Sequence, residues 1–300
     1  MSSRTANGTS IDLNVDAGES FGRWRVADEA KVYPYVSSVN LACGFHAGDP
    51  ANLMDSITLA LEHGLALGAH PGYPDKVGFG RRDMQLDERE LLADTIYQLG
   101  ALTSLVRAAS LVRVTRLMRA GSDADAMRVG ADADERNQVA AQSAVDADTP
   151  TLNHVKAHGA LYQRMMVDPD VAGTFARAVA LFDARLPVFV LAGAGGAVMR
   201  AAAATVGVKT VEEAFPDRAY LRDGSLAPRR MSGSVLTEPG LIAERAVAMA
   251  SGVPFAALDG GETRVEADTL CLHGDGVSAH EAARAVHGAL TGIGIVVRVP

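Results

Sequence analysis

Cysteine is scarce in this sequence. Two residues, Cys43 and Cys271, stand among 300; they cannot build a disulfide framework, and neither belongs to a Cys-x-x-Cys pair that would bind zinc or exchange disulfides. Positive charge is in deficit, with 28 Lys and Arg against 36 Asp and Glu and a net charge of −8. Such a balance disfavours nonspecific attraction to phosphate backbones and anionic lipid, so nucleic acid and membrane surfaces are not expected partners. Long hydrophobic runs are missing as well. The longest, residues 186–199, contains Pro187 and several glycines and stops at Arg200, short of the roughly 18 to 20 residues that span a bilayer. The polar residues 1–10 lack the apolar segment of an export signal, so the cytoplasm is the expected location. No Gly-x-x-x-x-Gly-Lys-Ser/Thr phosphate loop occurs, and Gly193-Ala-Gly-Gly lacks the third glycine of a dinucleotide loop.

What the chain does have is a 48% apolar composition arranged as short β-branched runs alternating with longer Ala/Leu-rich segments. That is the pattern of βα units around a parallel sheet. Strands are predicted at 11–15, 36–42, 65–69, 152–157, 188–192, 208–214 and 269–272, and helices at 50–63, 87–109, 170–184, 238–251 and 278–290, with a last extended piece at 293–299. The expected fold is one α/β domain over 11–300, a seven-stranded (β/α)7 barrel following a tail of residues 1–10. Between about 110 and 150 the composition shifts to Ala, Asp, Arg and Met with little apolar periodicity, which reads as a solvated surface insertion.

Polar residues gather at the ends of the predicted strands, where barrel active sites form. Asp12, Asn14 and Asp16 alternate with Leu13 and Val15, so all three share one face of a strand, and Glu19 follows in the turn. His154, Lys156 and His158 repeat the alternation. A lysine there needs carboxylate partners, for which Asp12 and Asp16 are the obvious source, whereas His154, deeper in the strand, reads as a core histidine. His46, His70 and His273 each have a glycine within two residues, with Asp49 and Asp275 nearby; turns of this kind hold an imidazole at a pocket rim. Histidine and carboxylate together could hold a divalent ion, with Asp16, His46 and His70 as candidate ligands, although no His-x-x-x-His spacing fixes one. Arg218, in Glu-Ala-Phe-Pro-Asp-Arg (213–218), could grip a carboxylate or phosphate.

Seven segments carry a resemblance: Ile-Asp-Leu-Asn-Val-Asp-Ala-Gly-Glu (11–19), Val-Asn-Leu-Ala-Cys-Gly-Phe-His-Ala-Gly-Asp (39–49), Gly-Ala-His-Pro-Gly-Tyr-Pro-Asp (68–75), Gly-Phe-Gly-Arg-Arg (78–82), Val-Lys-Ala-His-Gly-Ala-Leu-Tyr (155–162), Glu-Ala-Phe-Pro-Asp-Arg (213–218) and Leu-Cys-Leu-His-Gly-Asp (270–275). In this order they resemble the LamB/YcsF family. The resemblance implies a barrel like that of sugar deacetylases, and ATP-dependent opening of 5-oxo-L-proline to L-glutamate in company with 5-oxoprolinase subunits B and C, with Mg2+ accompanying ATP. Carried onto this chain, it puts Asp12, Asp16, Lys156 and His158 in catalytic roles. Asn14, Glu19, Asn40, His46, His70, Glu213, Asp217, Arg218, His273 and Asp275 become substrate-binding candidates. Two rival readings of the same residues are a deacetylase-like, metal-dependent hydrolase of an amide or carbohydrate, working without ATP, and a non-catalytic binding subunit of a lactam-hydrolysing complex.

Overall fold

The computed structural model describes residues 10–125, 151–273 and 279–300. In chain order the elements are β1 (Ser10–Ala17), α1 (Glu29–Val32), β2 (Ser38–Ala42), α2 (Pro50–Glu62), β3 (Ala66–His70) and α3 (Glu88–Asp125). There follow β4 (His154–Val155), α4 (Gly159–Met165), α5 (Pro169–Asp183), β5 (Val188–Leu191), α6 (Ala197–Thr205), β6 (Thr210–Ala214) and α7 (Pro239–Ser251). The chain continues with the antiparallel pair β7 (Phe255–Ala256) and β8 (Glu262–Thr263), then β9 (Thr269–Leu272), α8 (Ala279–Gly292) and β10 (Val296–Val297).

Strands β1 to β6 and β9 pair in parallel in that order, and β9 returns to pair with β1, so the sheet closes into a seven-stranded barrel. All seven predicted strands are present, and the extended piece expected near the C-terminus is β10, which adds to β1 at Ser10 and Ile11. Closure makes every strand two-faced. Ile11, Leu13 and Val15 pack outward among the helices while Asp12, Asn14 and Asp16 point into the barrel, and both sets are buried.

The helices form where apolar spacing coincides with start signals. Asp49 caps α2, its Oδ1 accepting the Ala51 and Asn52 amides at 3.0 Å with Pro50 in the first turn; Asp168 and Glu238 cap α5 and α7 in the same manner. Asp49 therefore belongs to a helix start rather than to the histidines beside it in sequence. Helix α3 runs to Asp125, beyond the expected end at 109, so the first part of the expected insertion is helical; residues 126–150 lie outside the described residues.

Register stacks the interior in layers. Asp16 pairs with Asn40, Asn40 with Gly68 and Gly68 with His154. Gly68 leaves the space that the His154 ring fills: a methyl group there would collide with the imidazole. The ladder between β3 and β4 continues toward the mouth, with the Lys156 amide donating to Ala69 O at 2.9 Å and the His158 amide to Pro71 O at 2.8 Å. These bonds aim Lys156 inward.

Candidate active site

At the floor of the barrel, Asp12 is surrounded by hydroxyls. Ser37 donates to Oδ1 at 2.6 Å, Ser38 to both oxygens at 2.9 Å and Thr269 to Oδ2 at 2.5 Å. Burial raises the Asp12 pKa and these donors only partly offset it. Its oxygens are occupied and it makes no hydrogen bond or ion pair with Lys156 among the described residues.

One layer higher, Lys156 is 3% exposed. Its Nζ lies 2.9 Å from Asp16 Oδ1, 3.1 Å from Glu213 Oε1 and 2.9 Å from Cys271 Sγ, with the Phe215 ring 5.5 Å away. Burial disfavours the ammonium, but Asp16, Cys271 and Glu213 outweigh it and hold the pKa well above the ordinary lysine value. Burial likewise opposes ionisation of Asp16, yet His70 and Lys156 keep that carboxyl well below its usual range. An ammonium is thus held between carboxylates in a dry interior, where Coulomb attraction is strong. Amides fix the geometry. Asn40 Nδ2 donates to Asn14 Oδ1 at 2.7 Å and to Asp16 Oδ1 at 2.9 Å, and Asn14 Nδ2 donates to Thr269 at 2.7 Å and to Glu213 Oε1 at 3.2 Å.

At the rim, three imidazoles converge. His70 Nδ1 donates to the Lys156 carbonyl at 2.7 Å and His158 Nε2 donates to the Phe79 carbonyl at 2.8 Å. The remaining ring nitrogens, His70 Nε2 and His158 Nδ1, face each other at 2.9 Å. His46 stacks on His158 with ring centroids 3.8 Å apart, and neither of its nitrogens has a hydrogen-bond partner among the described residues. Glu19 Oε1 lies 3.5 Å from both His46 Nε2 and His158 Nδ1. Burial, reinforced by the neighbouring imidazoles, pushes His46 well below the ordinary histidine pKa and His158 down to about 3. Phe79 has the left-handed φ of +54°, a costly conformation for a side-chain-bearing residue. It turns the carbonyl that fixes the His158 tautomer. Gly80 follows at φ +63°, where a Cβ would press on both His46 and His158.

The LamB/YcsF family profile matches residues 11–121 and 125–300. This chain belongs to the LamB/YcsF family. It is 44% identical over 288 residues to the A subunit of 5-oxoprolinase from Thermus thermophilus, covering 96% of this chain and 98% of that one. It is also 42% identical over 284 residues to the corresponding A subunit from Deinococcus radiodurans, covering 95% of each. The crystal structure of a lactam utilization protein from Thermus thermophilus superposes with a TM-score of 0.78 at 42% identity, over 96% of this chain and 99% of that one.

Within this LamB/YcsF barrel, most residues singled out by sequence do meet. Asp16, Lys156, Asn14, Asn40 and Glu213 form one buried network, and Glu19, His46, His70 and His158 a second above it; His70 Nε2, 3.4 Å from Asp16 Oδ2, joins the two. His154 is the core histidine expected, stacked on Phe189 at 4.0 Å and donating from Nε2 to Asn40 Oδ1 at 2.7 Å. Asp275 lies outside the described residues. Asp217 accepts from His273 Nδ1 at 2.7 Å, and the other ring nitrogen of His273 accepts from Arg229 at 3.1 Å.

Arg218 is placed differently from the expectation of a substrate grip. Its guanidinium is buried and donates to the backbone carbonyls of Ser234 at 3.2 Å and Ala227 at 2.8 Å, so it fastens the loop after β6. An exposed cation of that loop, Arg229, is the one that reaches His273 among the described residues. Cys271 was also missed as a neighbour of the lysine. A signal existed, because Thr269, Cys271 and His273 share the period-two alternation that marks Asp12, Asn14 and Asp16. Of the candidate metal ligands, His46 and His70 belong, with Glu19 and His158, to the group that is close enough to hold an ion among the described residues, while Asp16 turns its Oδ1 to Lys156 and Asn40 and its Oδ2 to His70.

Proposed function

We propose that this chain is the A subunit of an ATP-dependent 5-oxoprolinase, opening 5-oxo-L-proline to L-glutamate with subunits B and C. The observation that carries the reading is the charged Lys156 held between Asp16 and Glu213 inside the barrel, one layer below the histidine rim; the similarity to named 5-oxoprolinase A subunits over nearly the whole chain supports it. A five-membered lactam is an unreactive amide. In the proposed reaction its carbonyl oxygen takes the γ-phosphoryl group of ATP, releasing ADP. Water then adds to the activated carbon while Asp16 accepts its proton. The C–N bond breaks as the ring nitrogen is protonated, leaving the side-chain carbonyl as an acyl phosphate, and a second water hydrolyses that acyl phosphate to release phosphate and the side-chain carboxylate of glutamate. Lys156 would stabilise charge on the lactam oxygen and the incoming phosphoryl oxygens. Without a phosphate loop in the chain, the phosphates of ATP, with Mg2+ accompanying them, would be met at the rim by Arg229 together with the partner subunits, above the buried Lys156.

No helix among the described residues is long and apolar enough to cross a membrane, and a cytoplasmic location is part of the proposal. The grouped histidines give the deacetylase-like reading one observation in its favour. The deciding assay measures glutamate and ADP with 5-oxoproline and the assembled complex. ATP-coupled glutamate formation that disappears in Lys156→Ala and Asp16→Asn is the expected result. Undiminished turnover in both variants would overturn it, and hydrolysis of amides by this chain alone without ATP would transfer the site to the rival reading.

A further inference from the structure

We propose that the rim of the barrel is a binding site for one divalent transition metal ion of the zinc class, ligated by His46, His70, His158 and Glu19. These four buried residues offer ligand atoms that all lie within 4.8 Å of one another. The hydrogen bonds at the site leave an electrostatic problem that a cation solves. His70 commits its Nδ1 proton to the Lys156 carbonyl and His158 its Nε2 proton to the Phe79 carbonyl. The two nitrogens left facing each other at 2.9 Å therefore both present lone pairs when the rings are neutral.

The spacing suits an ion. A tetrahedral site with bonds of 2.0–2.1 Å has edges of about 3.3–3.4 Å; here the His70–His158 edge is 2.9 Å and Glu19 lies 3.5 Å from both His46 and His158. His46 is stacked on His158, so its ring must tilt to aim Nε2 at the centre, and no hydrogen bond to either ring nitrogen resists that motion among the described residues. Backbone carbonyls behind His70 and His158 orient the rings, as carbonyls commonly do behind metal-bound histidines. Three imidazoles and one carboxylate select zinc-class ions over Mg2+ or Ca2+, which require oxygen donors.

The site stands apart from the identity of the substrate and is tested on the chain alone. Tag-free, chelator-stripped full-length protein is titrated with Co2+, read by visible d–d absorption, and with Zn2+, read by calorimetry. One equivalent of each is expected, with Zn2+ displacing Co2+ and bleaching its bands, and excess Mg2+ leaving them unchanged. His70→Ala and His46→Ala should weaken binding by at least about 10- to 100-fold. Glu19→Gln, which preserves shape and keeps the test readable if a histidine variant fails to fold, should weaken it about tenfold. Absence of stoichiometric uptake by the wild-type chain, or unaltered affinity in Glu19→Gln and the folded histidine variants, overturns the proposal.

Discussion

Lys156 neutralises two buried carboxylates, so its removal has a structural consequence besides a chemical one. Lys156→Met would leave Asp16 and Glu213 facing each other without their shared cation, and breaking a buried pair in this way costs about 3–5 kcal/mol. Urea denaturation should show that loss. Adding Asp16→Asn and Glu213→Gln should return part of the stability but none of the activity, whereas additive destabilisation across the three changes would refute the charge-balance account. The substrate-facing role expected of Arg218 passes to Arg229. Because Arg218 spends its donors on Ser234 and Ala227 carbonyls, Arg218→Ala should cost about 1.5–3 kcal/mol, seen in the melting curve, while Arg229→Ala should raise KM in the assembled complex with little effect on stability. A KM effect confined to Arg218 would reverse this assignment. The alternation on β1 and β4 made most of the interior polar residues legible. What it could not show was where a long side chain spends its charge, since a guanidinium reaches backbone from a loop as readily as substrate.

Among the elements, the seven barrel strands were legible because each is a short apolar run bounded by turn residues. The shorter helices were not. Helix α4 spans seven residues and α6 nine, and α6 follows Gly193-Ala-Gly-Gly, whose composition reads as a loop. The extension of α3 lacks a clear apolar stripe, so periodicity had nothing to register. Strand β3 supplies the sharpest prediction at this scale. Gly68 is empty so that the His154 ring can lie across it, and Gly68→Ala forces overpacking that typically costs about 1–3 kcal/mol. Thermal melts should show Gly68→Ala destabilised and His154→Ala recovering part of the loss when the two are combined. A combined loss equal to the sum of the single ones would show that the glycine serves some purpose other than making room.

For the molecule as a whole, acid is the condition to vary. Burial lowers the His154 pKa to about 3 in the folded chain from an ordinary value of 6.5. The unfolded chain therefore binds this proton first as pH falls. The stability contributed is complete above 6.5 and shrinks toward pH 3, by about 1.4 kcal/mol per pH unit well inside that window. Denaturation midpoints between pH 7 and 4 should thus fall less steeply in His154→Gln than in the wild type; parallel slopes would contradict the buried neutral imidazole. The closure of the barrel has a different implication, for the order of events during synthesis. Strand β1 carries Asp12, Asn14 and Asp16 but completes its pairing only with β9 and β10. Strand β1 thus leaves the ribosome long before the strands that complete its pairing, and Lys156 emerges before the Cys271 face of its cage has been translated. A nascent chain arrested before residue 269 should remain open and protease-sensitive at β1, and release of the remaining residues should bring protection to the whole barrel in one cooperative step.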